Sequence, residues 1–141
     1  MTILNDIKTF ISSNNIAENS QIVFNFDDVT VSDNVVILTC NGGKYNDIAK
    51  NSTVNFLIKN TSMQTAETLC NSLFNLFCPP KQYEKPLSVN GKLMLIKPSS
   101  LPSYKEKEKN GRHVFTFDLS IIHSWFYLQK FLTFIITILI F

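Results

Sequence analysis

Glycine is scarce in this chain, with four among 141 residues, and neither sign of charge predominates. The segment 41–44, Asn-Gly-Gly-Lys, lacks the spacing of a phosphate-binding P-loop and is typical of a turn. The formal net charge of +2 is far from the concentrated basic surplus that nucleic-acid-binding domains carry on one face. We therefore expect neither a P-loop nucleotide site nor a sequence-specific nucleic-acid interface.

Motifs for catalysis and metal binding are missing as well. No serine lies in a Gly-x-Ser-x-Gly nucleophile elbow. His113 and His123 bracket the last predicted strand, but no third ligand stands at a zinc-like spacing. Asp27 and Asp28 are adjacent, so on a strand their carboxylates point to opposite faces. The sequence therefore predicts a protein that is not an enzyme and that has no metal or cofactor.

Cysteine is rare, and its spacing is uninformative for metal binding. Cys40, Cys70 and Cys78 are an odd number and include no Cys-x-x-Cys pair, which favours buried reduced thiols over disulfides. The N-terminus has no basic segment followed by an apolar run, so no secretory signal peptide is predicted. We expect the chain to be made inside the cell.

The most informative stretch of the chain, residues 52–77, changes its hydrophobic period from two to about 3.6. Val54, Phe56 and Ile58 alternate with polar residues, as in a half-buried strand. The apolar residues that follow recur at three- and four-residue steps, as on the core face of a helix: Met63, Ala66, Leu69, Cys70, Leu73 and Phe77. A strand that leads directly into a helix indicates an α+β fold.

Both ends of this helix are marked in the sequence. Thr61 or Ser62 can cap its N-terminus, and Thr61 with Gln64 fits the spacing of a capping box. Pro79 and Pro80 end it, because proline has no backbone N–H and disfavours helix in the residue before it.

The remaining elements complete one α+β domain over residues 1–123. A helix is predicted at 2–14, where Asp6 and Lys8 point away from the apolar face. Strands are predicted at 22–26, 35–40, 52–59, 92–97 and 112–122. The order α-β-β-β-α-β-β gives a mostly antiparallel sheet of four to five strands. Two helices are too few to cover both faces of such a sheet, so we expect both on one face and the other free for a partner.

Between the last two strands, residues Pro98 to Gly111 are predicted to form a long polar loop, with the flanking strands paired antiparallel. The charges alternate in sign from Lys105 to Lys109, which is typical of a solvated tip. Loops of this length between paired strands are uncommon and often functional. The loop is therefore the first candidate for a contact surface.

The tail, residues 124–141, is almost entirely apolar. Lys130 is its only charge, and eleven uncharged residues follow it. Three interpretations stay open. The tail packs on the domain or on a neighbouring subunit; it is a short membrane anchor with Trp125 and Tyr127 at the interface; or it is a non-native extension from a shifted reading frame. The run from Thr133 to Phe141 also fits an aggregation-prone strand.

Several strings of the sequence between Val35 and Ile122 have a counterpart in a known family: the strand that ends in Asn41-Gly42-Gly43, Val54–Lys59, the helix with Ala66-Glu67 that ends Leu73–Phe77, Leu87–Pro102, and Gly111–Asp118. Together they resemble the small minor capsid or tail-terminator proteins of siphophages and related prophages. The apolar tail after His123 departs from the polar end that the family leads one to expect.

The resemblance implies a non-enzymatic assembly protein of the virion, present in the host cytoplasm during assembly. Members form rings of identical subunits, often hexamers, which stop polymerisation of the tail tube and join the tail to the head. The partners implied are other copies of the chain, tail-tube proteins and head-connector proteins. The family assigns no residue a chemical role. The interface candidates are therefore Tyr104, Lys105, Lys107 and Lys109 in the loop, and Phe115 and Phe117 on the last strand.

A competing hypothesis uses the tail. A cytoplasmic adaptor module tethered to a membrane by residues 125–141 would have the same globular domain. Membrane contact is expected only through that segment.

Overall fold

The computed structural model describes residues 3–18, 20–25, 34–41, 50–80, 86–123 and 135–140. Two helices and six strands make up the domain: α1 (Ile3–Ser13), β1 (Gln21–Phe24), β2 (Val35–Asn41), β3 (Lys50–Asn60), α2 (Met63–Phe77), β4 (Pro86–Val89), β5 (Lys92–Lys107) and β6 (His113–His123). A third, short helix, α3 (135–140), lies in the apolar tail. The fold is α+β, as the sequence predicts.

The six strands form one mixed sheet in the order β1-β2-β3-β6-β5-β4. Only β1 and β2 pair in parallel, and every other neighbouring pair is antiparallel. The prediction of at most five strands is too low by one, because it did not include β4. β4 pairs with β5 across Asn90 and Gly91, whose φ angles of 53° and 77° are both positive. A two-residue hairpin turn of this kind requires positive φ at both positions.

The predicted loop from Pro98 to Gly111 is largely a strand. β5 continues to Lys107 and pairs with β6, and the pairing shifts register between Pro98 and Ser100, between Ser100 and Ser103, and again before Glu106. Within the described residues β4 pairs only with the first part of β5, so the rest of β5 is an edge. Proline and bulges are tolerated on an edge strand, which explains how a loop-like sequence forms one.

The strand β3 and the helix α2 follow the predicted pattern. Val54, Phe56 and Ile58 are buried on one face of β3. Ser62 is the N-cap of α2, and its side chain accepts a hydrogen bond from the backbone N–H of Thr65 at 3.3 Å. The predicted core position Met63 is instead exposed, because it is the first residue of the helix and lies beyond the core.

Both α1 and α2 pack on the same face of the sheet. Phe10 of α1 contacts Phe77 of α2, with ring centroids 5.6 Å apart, and Phe77 contacts Phe56 of β3 at the same distance. Phe74 of α2 meets Phe117 of β6 edge-on. One continuous core therefore joins both helices to the central strands.

Asp6 departs from the prediction that it points into solvent. Its side chain is buried, and Oδ2 accepts a hydrogen bond from Lys92 Nζ at 2.9 Å. The backbone carbonyl of Asp6 accepts another from Asn90 Nδ2 at 2.8 Å. These contacts attach α1 to the hairpin of β4 and β5, which a helical pattern alone cannot indicate.

Candidate interaction surfaces

Four of the six candidate interface residues lie together at one lateral edge of the sheet. Tyr104, Lys105 and Lys107 are on β5, and Lys109 is in the turn that follows. All three lysines are exposed, and Tyr104 is 45% exposed. We name these four residues the lysine edge. Their predicted exposure is correct, but they lie on a strand and a tight turn and not in a long loop.

Tyr104 is held in place from one side. Its ring packs edge-on against Phe115, with centroids 5.3 Å apart, and its hydroxyl is 3.3 Å from His113 Nδ1. The ring thus shields Phe115 while its outer side faces solvent. A partly fixed aromatic ring beside three cations offers a partner both apolar area and charge.

Phe115 and Phe117, the other two candidates, are not surface residues. Phe115 is 6% exposed and Phe117 is fully buried. The predicted alternation on β6 is confirmed, but the face that they share is the one under α2. They are core residues, and the interface role proposed for them is not supported by their position.

Ion pairs and hydrogen bonds of a charged cluster stabilise the turn that contains Lys109. Glu108 Oε1 accepts a hydrogen bond from Arg112 Nε at 3.0 Å, and Oε2 accepts one from Lys59 Nζ at 2.7 Å. The side chains of Arg112 and Lys59 are only 2% and 11% exposed. Asn110 Oδ1 accepts a bond from the Arg112 N–H. Because β3 contributes Lys59, the turn is fixed to the central sheet.

A second surface, unforeseen from the sequence, is a cleft of about 540 Å³ between the segment after α1 and the first half of α2. We name it the α1–α2 cleft. Two residues in it, Asn15 and Ala17, have φ angles of 56° and 63°, which turn the chain sharply between α1 and β1. Its lining comprises Asn15, Ile16, Ala17, Glu18, Ser20, Gln64, Thr65, Thr68, Leu69 and Ser72.

The lining of the α1–α2 cleft is mostly polar, and its described residues include no cation. Seven of the ten residues are polar, and Glu18 is the one titratable residue among them. Glu67 is exposed on the neighbouring part of α2. The polar positions of α2 from Gln64 to Ser72 recur on one side of the helix, which is the signal that sequence reading could have used. The contribution from residues 15–20 depends on packing and has no such signal.

The sheet face opposite the helices carries a hydrogen-bonded polar cluster. Asn55 Nδ2 donates to Asp118 Oδ1 at 2.6 Å and to Thr116 Oγ1 at 3.1 Å. Ser100 Oγ donates to Asp118 Oδ2 at 3.2 Å and accepts from the Asp118 N–H at 2.8 Å. These groups lie on adjacent strands and satisfy one another, so the cluster stabilises the sheet.

The histidines and cysteines do not form a chemical site. His123 Nε2 is 3.4 Å from Ser52 Oγ, and within the described ranges His, Cys, Asp and Glu form no group of three that could hold a metal ion. Burial raises the pKa of the Cys70 thiol to about 12, with a smaller contribution from Glu67, and burial raises that of Cys78 to about 11. Both thiols are therefore neutral at physiological pH. Asp27 and Asp28 lie outside the described residues.

The helix α3 is a third exposed surface. Its large apolar side chains range from 37% exposed at Ile135 to 79% at Leu139. No helix in the described part of the chain is long and apolar enough to cross a membrane. Residues 124–134, which include Trp125, Tyr127 and Lys130, lie outside the described residues.

No protein-family model matches the chain, and no curated protein has a matching sequence.

Proposed function

We propose that this chain is a structural phage assembly protein that acts as a tail terminator or minor capsid protein. It forms a ring of identical subunits that caps the tail tube and joins it to the head. It is not an enzyme, its partners are further copies of itself, tail-tube proteins and connector proteins, and it belongs to the virion. The sequence strings between Val35 and Ile122 that resemble this family are one support for the proposal.

The observation that carries the proposal is that the two lateral edges of the sheet differ in structure. One side ends in the four-residue β1, beside the α1–α2 cleft, and the other ends in β4 and the exposed second half of β5. A closed ring of identical subunits is built from heterologous contacts, in which two different surfaces of each copy meet. A monomer whose two edges present different surfaces suits this geometry.

The test is the solution mass by light scattering, for the full chain and for a chain that ends at His123. We expect a single species of several times the 16.1 kDa of one chain. A ring from the shorter chain as well would make the tail dispensable for assembly. A monodisperse monomer for both chains over a wide concentration range would overturn the ring.

The second candidate function, a membrane-tethered cytoplasmic adaptor, is favoured by the exposure of α3. The helix has no charged residue. More than a third of each of its large apolar side chains is exposed: Ile135, Ile136, Ile138, Leu139 and Ile140. Contiguous exposed apolar surface in a soluble domain commonly marks a contact with a protein or a membrane. Five of the six residues of α3 are apolar, and a mostly apolar helix suits apolar surroundings.

Flotation with phosphatidylcholine vesicles tests this alternative. The adaptor hypothesis predicts that the full chain floats and that Ile136→Asp/Leu139→Asp abolishes flotation. Leu101→Asp is the matched control, because Leu101 is 67% exposed but lies outside the tail. If the full chain stays in the soluble fraction, the adaptor hypothesis is wrong.

A further inference from the structure

The lysine edge and the α1–α2 cleft lie at the same end of the sheet. One cross-strand row runs through five strands, from the first residue of β1 to the end of β5: Gln21, Val35, Lys59, Val114 and Glu106. The cleft residue Ser20 directly precedes this row, and Lys105 and Lys107 flank its other end. Four strand spacings separate the two ends, roughly 19 Å along the sheet.

The two surfaces also have complementary charge. Among its described residues the cleft has Glu18 and no cation, and Glu67 is exposed on the neighbouring part of α2. The lysine edge holds three exposed lysines, and Glu106 is the one exposed carboxylate among them. The carboxylate of Glu108 is turned inward to Arg112 and Lys59. The edge therefore presents a local positive surplus, although the chain as a whole is close to neutral.

The polar character of the cleft favours a protein surface as its occupant. Sites for small organic ligands are mostly apolar with a few polar groups. Here the balance is the reverse, since seven of the ten lining residues are polar. An occupant that brings ammonium groups on flexible stems, together with the hydroxyl of Tyr104, can bond to Glu18, Gln64 and Thr68.

We propose that the lysine edge of one copy of this chain docks in the α1–α2 cleft of a second copy. Because the two surfaces are different and share no residue, the contact is heterologous and repeats from copy to copy. The proposal rests on the proposed ring, for which it names the contact surfaces.

Side chains, and not strand pairing, carry this contact. β5 contains Pro98 and Pro102, and its pairing with β6 has three shifts of register. Proline and bulges on an edge strand hinder the addition of another strand. A partner therefore meets the exposed side chains of the lysine edge and does not extend the sheet.

Charge reversal tests the contact in the full chain, in a mild non-ionic detergent that keeps α3 solvated. Lys105→Glu/Lys107→Glu changes the lysine edge, and Glu18→Lys changes the cleft. We expect each to weaken self-association at least tenfold, because like charges then face each other. The combined chain with all three substitutions should regain the mass of the unchanged chain, because the charges are again opposite.

Controls separate this contact from general effects. Ser99→Glu adds a negative charge to β5 outside the lysine edge and should leave the mass unchanged, and circular dichroism verifies that each variant is folded. If a substituted chain does not fold, the salt dependence of self-association in the unchanged chain still tests the contact. Its association should weaken steeply as sodium chloride rises from 0.05 to 0.5 M, about the range over which exposed charges become screened.

The outcomes distinguish the two proposals. A ring that persists in the reversed variants, or that the combined chain does not restore, would overturn the docking of edge in cleft and leave the ring intact. A monomeric unchanged chain would overturn both. Loss in the single variants with recovery in the combined chain would support both.

Discussion

Phe56 of β3 and Phe117 of β6 stack face to face at the centre of the sheet, with ring centroids 4.4 Å apart and planes 15° from parallel. They are directly opposite in the antiparallel register, and both are fully buried. Phe77 tilts against Phe56 and Phe74 meets Phe117 edge-on, so α2 closes over the pair. The two central strands and the long helix are therefore joined through one aromatic cluster.

Truncation of Phe117 should be strongly destabilising. We expect Phe117→Ala to lower the free energy of unfolding by about 3–5 kcal/mol, because it removes buried area and leaves a cavity under α2. Tyr104→Ala, at a ring that is 45% exposed, should cost no more than about 1.5 kcal/mol. Urea unfolding followed by circular dichroism measures both. A cost for Phe117→Ala as small as that for Tyr104→Ala would contradict the packing described.

The ion pair between Asp6 and Lys92 should contribute to stability. The Asp6 side chain is 4% exposed, and its Oδ1 has no hydrogen-bond partner among the described residues, so the bond from Lys92 to Oδ2 is its main compensation. We expect Lys92→Met to cost about 1–3 kcal/mol, because it leaves the buried carboxylate without this cation. Lys92 is itself 32% exposed, which places the cost below that of a fully buried pair.

A double-mutant cycle measures this pair. The combined Asp6→Asn/Lys92→Met chain should be more stable than the sum of the single changes predicts, by at least about 0.5 kcal/mol. Additive costs would mean that the contact between α1 and β5 does not stabilise the fold.

The carboxylate of Glu108 should contribute more to the stability of the fold than the neighbouring carboxylate of Glu106. Glu108→Ala removes an acceptor that Arg112 and Lys59 share in a mostly buried cluster, and we expect a cost of about 2–4 kcal/mol. Glu106→Ala is the matched control, because Glu106 is exposed two residues earlier in the chain, on β5, and it should cost less than about 0.5 kcal/mol. Equal costs in thermal unfolding would show that the turn is not fastened by Glu108.

The buried thiols predict a loss of stability in alkali. The pKa of Cys70 is raised in the folded state to about 12 from an ordinary value of 9.0, so the folded chain holds this proton more tightly than the unfolded chain does. The resulting stability is fully present below pH 9 and decreases as the pH rises towards 12. Each such thiol lowers the free energy of unfolding by about 1.4 kcal/mol per pH unit within that window.

Urea midpoints at pH 8 and pH 10 test this prediction. The fall in stability between these pH values should be smaller in Cys70→Ala than in the unchanged chain by about 1.3 kcal/mol. Cys78→Ala should have a similar effect, since burial raises its pKa to about 11. The same pH dependence in all three chains would exclude a contribution from the thiols.

The sequence by itself determined those elements whose signals are local. The alternation of Val54, Phe56 and Ile58 and the cap at Ser62 define β3 and the start of α2, because each depends on residues within a few positions of one another. The α+β class, the antiparallel pairing of β5 with β6 and the burial of Cys70 and Cys78 follow from the same kind of pattern.

Only the tertiary structure decided what long-range pairing controls. Pro98 and Pro102 are typical of a loop, yet they lie in a strand because β6 supplies the hydrogen bonds on one side and the other side is a free edge. Asp6 is buried because Lys92, 86 positions away in the chain, neutralises it. The α1–α2 cleft likewise exists because residues 15–18 and Ser20 lie beside α2. Such contacts join segments that are distant in the chain, so no local pattern of residues records them.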